Sequence, residues 1–502
     1  MMLKIKPNEL LNSAEICAAK GQNALTAMFG ADERELGAGY AIYILFTDLV
    51  SHDIKTIRVD FPADSELTYE SLTPLYPAAA WYEREINDMF GLRPLGHPDL
   101  RTLVLHETFP WGYYPLRKDV DAKKQIRGQR EYNMSTAQGN GVFEVAVGPI
   151  HAGIIEPGHF RFSQAGEDIL QLDAKLFFTH RGIEKLVEGK SIDEALIIVE
   201  RICGACTIAN TLSYCQALEK LTEEKVPKYA WLLRMLLAEV ERLYNHVGDT
   251  GNLCAGLGFA PIVSMGSALK EKIMHCNESL AGNRFLRGII IPGGVRKAIS
   301  PETLRELQVT LAEVEKGYEN IVELLANHSD FLNRVHATGI VRKQTAVDLA
   351  LVGVAARASG IDVDCRRDLP YGYYHTMNFD VPVEHSGDVY ARLVIREREV
   401  TQSLKLLRQI INNLENSATQ ELSYENANYR TEEGSWGISE SARGSNLHWL
   451  MLDKKQKIYR LFVRSASYPN WPALTMAVQG DIIPDFPLIN KSFELCYACV
   501  DR

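Results

Sequence analysis

Two pairs of closely spaced cysteines constrain this chain more than any other feature of its sequence. Cys203 and Cys206 lie in Arg-Ile-Cys-Gly-Ala-Cys, and Cys496 and Cys499 lie in Leu-Cys-Tyr-Ala-Cys. A Cys-x-x-Cys spacing lets two thiolates converge on one metal or form a redox disulfide. In zinc ribbons the second pair follows the first within about 15–20 residues, whereas here most of the chain separates the pairs. A site that uses all four cysteines must therefore be assembled by the tertiary structure.

The thiolate ligand set leaves the identity of the metal open. Thiolates are soft ligands that suit zinc, an iron–sulfur cluster or a thiolate-bound transition metal such as nickel. A structural zinc site would occupy all four positions. The other five cysteines are isolated, and we expect them to be packing residues of the core. They are Cys17, Cys215, Cys254, Cys276 and Cys365.

Composition restricts the class of protein. The chain has 502 residues, a formal net charge of −10 and nine cysteines. The acidic balance argues against nucleic acid as a partner, because phosphate binding needs a concentrated basic surface. So few cysteines favour a reducing compartment over a disulfide framework. Because no segment approaches about 18 consecutive apolar residues and the N-terminus lacks a secretory signal, we expect a cytoplasmic chain that does not itself span a membrane.

The N-terminal part reads as a small mixed α/β unit. Residues 40–46 form a short β-rich run, and apolar residues alternate with polar ones from Ile57 to Phe61, as in a half-buried strand. Residues 78–92 predict a helix that ends at Gly91. A polar stretch from Arg117 to Asn140 predicts the connection to a second domain.

The remainder predicts a large, mainly α-helical bundle, so that the fold class is α+β. Three apolar stripes step by three and four residues, as on one face of a helix. Ser300 and Pro301 predict the start of one of these helices, as an N-cap residue followed by proline at the first position. The stripes are Leu232, Leu233, Leu236, Leu237, Val240 and Leu243; Leu304, Leu307, Leu311, Val314, Tyr318, Ile321 and Leu325; and Leu393, Val400, Leu404, Leu407, Ile411 and Leu414.

The two cysteine motifs resemble the metal-binding motifs of NiFe-hydrogenase large subunits, of the hydrogen-evolving type related to respiratory complex I and found in formate hydrogenlyase. Further segments resemble the same family in the same order along the chain. They are Gly148–Arg161, the Arg-Gly-x-Glu segment in His180–Glu184, and Glu440–Gly444, which resembles Glu-Ala-Pro-Arg-Gly.

The N-terminal unit resembles a peripheral-arm subunit of complex I, which is fused to the large subunit in formate hydrogenlyase-type enzymes. The segments that carry this likeness are Trp81–Gly91 and Tyr114–Asp119. The resemblance implies a complex I-like domain over 1–125, a linker over 126–145 and a hydrogenase large-subunit domain over 146–502.

The resemblance implies a role for each matched residue. Cys203, Cys206, Cys496 and Cys499 would bind nickel, and the second cysteine of each pair would also bridge to an iron that carries CO and cyanide. The implied reaction is 2H⁺ + 2e⁻ ⇌ H₂.

Four other residues are candidates for catalysis and cofactor binding. Glu184 is the expected proton relay, since the pKa of a carboxyl group near metals can be tuned. Arg443 matches an arginine suspended over the metals, and Glu219 an acidic residue that orients it. Ser467 matches a hydroxyl that hydrogen-bonds an iron-bound cyanide.

The chain departs from the family pattern at three positions. Asn210 stands where histidine is common, and asparagine can form hydrogen bonds but cannot titrate near neutral pH. Ala442 replaces a proline beside Arg443. The resemblance implies an additional magnesium or iron near Glu156, but Arg502 stands where many relatives have a histidine ligand, and arginine cannot bind that metal.

Electrons must reach the site through other subunits, because the chain has no third cysteine cluster for an iron–sulfur centre. We expect a complex I-like small subunit that carries a 4Fe-4S cluster, ferredoxin-like iron–sulfur subunits and membrane subunits related to complex I. The membrane subunits would hold the chain at the cytoplasmic face of the inner membrane. A maturation protease that cuts beyond the second motif is a further expected partner.

Two alternatives use the same fold. The first is a quinone-reducing subunit of complex I type, although such subunits lack the four thiolates. The second is a non-catalytic assembly subunit with a structural Cys₄ metal site.

Overall fold

The structure is a computed structural model of the chain, and it describes residues 2–19, 23–48, 51–124, 126–151, 155–424 and 427–502. Its N-terminal part is built on a four-stranded sheet with the strand order β1-β4-β3-β2. Strand β1 pairs with β4 in parallel, and the other two pairings are antiparallel. The elements of this part are β1 (Met2–Ile5), α1 (Leu10–Ala19), β2 (Asn23–Asp32), β3 (Tyr40–Asp48), β4 (Asp53–Phe61), β5 (Thr68–Glu70), α2 (Ala80–Phe90) and β6 (Arg93–Leu95).

Both faces of the N-terminal sheet are covered, which explains why the run in β3 is apolar rather than alternating. On one face α2 approaches so closely that a Cβ atom at Gly30 would lie 2.6 Å from the Phe90 ring. On the other face Phe29 stacks on Phe462 of the second domain, with ring centroids 4.3 Å apart. The predicted strands and helix are confirmed, and α2 ends at Gly91 with a φ of 72°, a left-handed conformation that favours glycine.

The predicted linker, 126–145, overlaps a strand of the structure. Strand β7 (Val142–Val147) begins inside the predicted linker and pairs with the next strand from Val142 onward. The preceding polar segment is fastened to the N-terminal domain, because the guanidinium of Arg130 donates to the carbonyl oxygens of Phe109 and Pro110.

The second domain combines two three-stranded antiparallel sheets with a helical bundle, and the α+β class is confirmed. The long helices α6, α7, α8 and α13 pack side by side. After β7, the elements of the domain are β8 (His159–Ala165), β9 (Asp168–Lys175), α3 (Ile183–Leu186), α4 (Ile192–Val199), α5 (Thr207–Glu219), α6 (Lys228–Ala255), α7 (Ala260–Ala281), β10 (Ile290–Ile291), β11 (Gly294–Val295), α8 (Pro301–Ala326), α9 (Ser329–Val335), α10 (Lys343–Asp348), α11 (Gly353–Ala358), α12 (Cys365–Asp368), α13 (Val389–Glu415), β12 (Gly434–Ser441), β13 (Gly444–Leu452), β14 (Ile458–Arg464), α14 (Ser467–Ala477), α15 (Phe486–Phe493) and α16 (Tyr497–Asp501).

The three predicted apolar stripes lie on α6, α8 and α13, and all their residues are buried. Helix α8 starts as predicted, since the hydroxyl of Ser300 accepts the backbone N–H of Thr303 and Pro301 is the first helical residue. Among the described residues, no helix is both long and apolar enough to cross a bilayer.

A tight turn determines the position of Arg443. The turn between β12 and β13 holds Ala442 and Arg443 and closes at the Ser441–Gly444 pair. The φ of Gly444 is 123°, and a Cβ atom there would lie 2.6 Å from the backbone nitrogen of Gly353. The turn therefore requires glycine at this position and presses its backbone against the start of α11.

Candidate metal centre

The fold brings the two distant cysteine pairs together. Cys206 directly precedes α5, Cys496 precedes the short α16, and Cys499 lies within α16. The sulfur atoms of Cys203, Cys206 and Cys499 all lie within 4.8 Å of one another, and the Cys203 and Cys496 sulfurs are 3.2 Å apart. Four thiols thus converge in the interior of the second domain.

The cysteine cluster favours the thiolate form of Cys203. Hydrogen bonds from Cys206 and then from the other two thiols lower the pKa of Cys203 well below its usual range. The backbone N–H of Ala205 also donates to the Cys203 sulfur over 3.2 Å. A buried group of four thiols is suited to a metal cation that neutralises several thiolates at once.

Arg443 lies next to the cysteine cluster, and one nitrogen of its guanidinium group is unpaired among the described residues. Its Nη2 donates to Asp249 Oδ1 at 2.9 Å, and its Nε donates to the carbonyl oxygen of Glu494 at 3.0 Å. Burial opposes the charged form, but Asp249 and Cys206 outweigh it and raise the pKa of Arg443. Its Nη1 is buried and has no hydrogen-bond partner among the described residues. A buried donor of this kind calls for an acceptor that the chain itself does not provide.

The structure pairs Glu219, predicted to orient Arg443, with a different arginine. Glu219 lies at the other end of α5, about 20 Å along the helix axis from Cys206 at about 1.5 Å per residue. There it forms an ion pair with Arg234, with an oxygen–nitrogen distance of 2.6 Å. Asp249 takes the orienting position instead, and Glu494 supports it with a carboxylate 4.0 Å from Arg443.

Asp249 was detectable as part of a polar stripe on α6. Glu239, Arg242, His246 and Asp249 are spaced by three, four and three residues, and all four are buried. A helix that carries both an apolar stripe and a buried charged stripe packs two of its faces inside the protein.

Glu184 is held by two arginines. Its carboxylate accepts from Arg460 at 2.6 Å and from Arg502 at 2.9 Å, and the backbone N–H of Val463 also donates to it. Burial would raise the pKa of Glu184, but Arg460 and Arg502 lower it below the ordinary value. The two arginines therefore favour the ionised form of Glu184, the predicted relay.

Asn210 and Ser467 each form a hydrogen bond with the backbone of a cysteine in the cluster. The backbone N–H of Asn210 donates to the carbonyl of Cys206 at 3.1 Å. Its side-chain Nδ2 is buried without a partner among the described residues. The hydroxyl of Ser467 accepts the backbone N–H of Cys496 at 3.0 Å, so this serine fixes the start of α16.

Glu156 borders the cysteine cluster. Its carboxylate accepts the backbone N–H of Ala498 at 2.7 Å, and it lines a cavity of about 430 Å³ together with Arg443 and Cys496. In the part of the chain that the structure describes, the one group of three or more potential metal ligands is the cysteine group. The side chain of Arg502 donates to Glu85 and Glu184.

Besides Asp249 and Glu494, two further residues near the cluster were missed by the sequence reasoning. Glu241 accepts the backbone N–H groups of Ile208 and Ala209, at 2.7 and 3.0 Å, in the first turn of α5. Its burial outweighs these hydrogen bonds and raises its pKa to about 8. Asn245, one helical turn later, donates to the carbonyl of Ala205 at 2.7 Å. Glu241 lies between Val240 and Arg242, and Asn245 between Tyr244 and His246, and nothing in their local spacing marked them.

The isolated cysteines stay outside the cluster. Cys215, Cys254 and Cys365 are buried, and Cys276 is half-buried. Burial raises the pKa of Cys215 and Cys254, as expected for inert thiols of a core. The side chain of Cys17 lies outside the described residues.

Comparisons with known proteins agree with this geometry. The family described as nickel-dependent hydrogenase matches residues 181–286, the 49 kDa subunit of respiratory-chain NADH dehydrogenase matches 257–434 and 420–502, and the 30 kDa subunit matches 3–126. Formate hydrogenlyase subunit 5 of Escherichia coli is 33% identical over all of this chain and 89% of its own length. Hydrogenase-4 component G of the same organism is 33% identical over all of the chain and 88% of its own length. The C/D subunit of NADH-quinone oxidoreductase from Acidiphilium cryptum is 28% identical over 89% of the chain and 83% of its own length.

Proposed function

We propose a mechanism and an assembly for this chain on the premise that it belongs to the family of complex I-related NiFe-hydrogenase large subunits, which includes formate hydrogenlyase subunit 5 and hydrogenase-4 component G. The chain is an oxidoreductase, the catalytic large subunit of a hydrogenase that interconverts protons, electrons and H₂. The observation that carries the mechanism is the convergence of four thiols beside a guanidinium with one unpaired edge.

The residues present fit a nickel–iron centre. Cys203, Cys206, Cys496 and Cys499 would hold it, and the unpaired Nη1 of Arg443 matches a centre that presents acceptors, such as the proposed CO and cyanide ligands of iron. When bound, such a centre supplies the two-electron chemistry of H₂. An additional magnesium or iron at Glu156 would use the second oxygen of its carboxylate, since the first accepts the backbone N–H of Ala498.

The side chains around the centre hold and move protons. Arg443 is kept charged and in place by Asp249, so that its free edge provides a fixed positive charge beside the cysteines. Glu184 is the proposed proton relay, and the two arginines that lower its pKa favour its ionised form at neutral pH. We propose Glu241 as a second proton-holding group, since its raised pKa of about 8 keeps it protonated at neutral pH. The two carboxyl groups therefore begin the reaction in opposite protonation states.

We propose that electrons arrive through a complex I-like small subunit with a 4Fe-4S cluster, supplied in turn by ferredoxin-like subunits. The relatives are named as subunits of formate hydrogenlyase and of NADH-quinone oxidoreductase, which supports an assembly of this kind. We also propose peripheral attachment to the inner membrane through complex I-related membrane subunits, and processing by a maturation protease.

The four cysteines separate this proposal from its two alternatives. A quinone-reducing subunit does not require four converging thiols. A structural zinc site does not require a charged arginine with an unpaired nitrogen beside it. Both alternatives predict that nickel is absent from the active complex.

Replacement of Cys499 by serine tests the proposal against a matched control, Cys215→Ser. Both thiols are fully or almost fully buried in the same domain, but only Cys499 belongs to the cluster. We expect Cys499→Ser to lose nickel, measured by elemental analysis of the purified complex, and hydrogen evolution, with its circular dichroism unchanged. Cys215→Ser should keep both. Nickel absent from the active wild-type complex would overturn the proposal, and so would full nickel content in Cys499→Ser.

A further inference from the structure

A single carboxylate of the N-terminal domain reaches two segments that flank the cysteine cluster. The carboxylate oxygen Oε2 of Glu85, on α2, accepts a hydrogen bond from Arg502 Nη2 at 2.6 Å and another from the Tyr468 hydroxyl at 2.7 Å. Glu85, Tyr468 and Arg502 are all buried. We refer to these three residues as the Glu85 bridge.

Each end of the bridge is close to a cysteine along the chain. Arg502 follows Cys499 by one helical turn, and its backbone N–H donates to the carbonyl of Ala498 at the end of α16. Tyr468 follows Ser467, whose hydroxyl accepts the backbone N–H of Cys496. The bridge thus links α14 to the segment after Cys499, and it does so through a residue from a different domain.

The charge balance of the bridge extends to Glu184. Arg502 donates to both Glu85 and Glu184, and Glu184 also pairs with Arg460 at 2.6 Å. Two carboxylates therefore face two guanidinium groups, and in the described structure these four side chains are buried. Removing one buried charge leaves its partner without compensation, which is costly in the protein interior.

Glu85 differs from the other buried charges on α2. Glu83 accepts from Ser71 Oγ and the backbone N–H of Leu72, within its own domain. Asp88 likewise accepts the backbone N–H groups of Leu103 and Val104. Glu85 alone among these three carboxylates bonds to the second domain, and aromatic packing holds it there, since the Tyr82 and Tyr468 rings lie 4.9 Å apart.

From this geometry we infer that Glu85 is a positioning residue of the metal centre, contributed by the N-terminal domain and acting through Arg502 and Tyr468. The inference rests on the proposed function, because it gives the fused domain a role at the cysteine cluster beyond connecting subunits. Loss of the Glu85 charge should loosen residues 496–502 and change the surroundings of the metal without changing any cysteine.

The test compares Glu85→Gln with Glu83→Gln in the intact purified complex. Glutamine keeps the size of the side chain and removes its charge, and Glu83 provides a buried carboxylate on the same helix that stays within its own domain. Amide hydrogen exchange, followed by mass spectrometry, reports on residues 496–502. Electron paramagnetic resonance of nickel reports on the surroundings of the metal.

We expect Glu85→Gln to exchange about tenfold faster or more at 496–502, since hydrogen bonds to charged groups are the strong ones, and to shift the nickel signal. Glu83→Gln should accelerate exchange near residues 71–73 and leave the nickel signal unchanged. Glu85→Asp, which restores the charge, should return both measurements toward those of the wild type.

Identical exchange and identical nickel spectra in Glu85→Gln and the wild type would overturn the inference, as would equal effects of Glu85→Gln and Glu83→Gln. If the Glu85→Gln complex does not assemble, Tyr468→Phe removes one hydroxyl and keeps the ring. It should produce a smaller increase in exchange at 496–502, and no increase would overturn the inference. The exchange contrast is measurable without nickel, so its failure is distinguishable from failure of the proposed function, which nickel analysis of the wild type decides.

Discussion

The buried carboxyl group of Glu241 should make the stability of the metal-free chain depend on pH near neutrality. In the folded chain, burial raises its pKa from the ordinary 4.5 to about 8. Between these two values the unfolded chain has released the proton and the folded chain still holds it. Because the folded state binds more protons in this range, its stability falls as the pH rises. Glu241→Gln, which cannot ionise, should lack this dependence.

The size of the effect follows from the separation of the two pKa values. Each pH unit inside that range changes the free energy of unfolding by at most about 1.4 kcal/mol. Between about pH 5.5 and about pH 7.5, the wild type should therefore lose on the order of 2 kcal/mol relative to Glu241→Gln. The loss should level off above the folded pKa, where the carboxyl group ionises in both states.

Urea unfolding of the metal-free chain, followed by tryptophan fluorescence at several pH values, measures this difference. Glu239→Gln is the matched control, since Glu239 lies two residues away on α6 and is also buried. Burial opposes its ionisation, but Arg366 and Arg242 lower the pKa of Glu239 below the ordinary value. It is ionised in both states above about pH 5.5, so Glu239→Gln should be less stable by an amount that does not vary with pH.

A constant free-energy difference between the wild type and Glu241→Gln from about pH 5.5 to about pH 7.5 would refute the reasoning. It would mean that Glu241 is ionised in the folded chain and that the N–H groups of Ile208 and Ala209 outweigh its burial. The proposal that Glu241 holds a proton at neutral pH would then be withdrawn as well.

The remaining predictions concern the arginine beside the cluster and the start of α8. Asp249→Asn should slow hydrogen evolution by about tenfold or more while nickel content stays unchanged, because Arg443 loses its charged partner. Glu219→Gln should instead lower the thermal midpoint of the complex and leave the turnover rate unaffected, since its ion pair is with Arg234; equal turnover losses in the two variants would contradict the assignment. Ser300→Ala should lower the free energy of unfolding by about 1 kcal/mol through loss of the N-cap, with hydrogen evolution unchanged, and an effect on activity would argue against a purely structural cap.

The helices were predictable wherever local chemistry and the hydrophobic period agree. Ser300 and Pro301 mark the start of α8, and the apolar stripe that follows marks its buried face. Gly91 marks the end of α2 for an equally local reason, since the chain adopts a left-handed conformation there. Both signals lie within a few residues of the feature they predict.

The start of the second domain was less predictable, because buried and exposed residues do not alternate clearly along β7. Phe143 is exposed, and the strand is defined by its pairing with β8 rather than by burial. Pairing with a strand about 20 residues further along leaves little trace in the local sequence. The predicted linker therefore extends into β7.

The cysteines of the candidate site were predictable because their spacing is unusual and their side chains are rare. The acidic residues around Arg443 carry no such mark. Glu219 and Asp249 are both single carboxylates on long helices, and both form ion pairs with arginines. Only the packing of α6 against the β12–β13 turn decides which of them meets Arg443, and this is a property of the tertiary structure.

The same reasoning explains why the contact of Glu85 with the second domain was not predictable from the sequence. Nothing in the local sequence of α2 marks Glu85 as buried, and charged side chains are almost never fully buried unless paired. The partner of Glu85 is Arg502, more than 400 residues away along the chain. A cation at 502 is unsuited to bind a metal but well suited to meet a carboxylate from another domain. At this position the Arg502–Glu85 ion pair joins the N-terminal domain to the segment that follows Cys499.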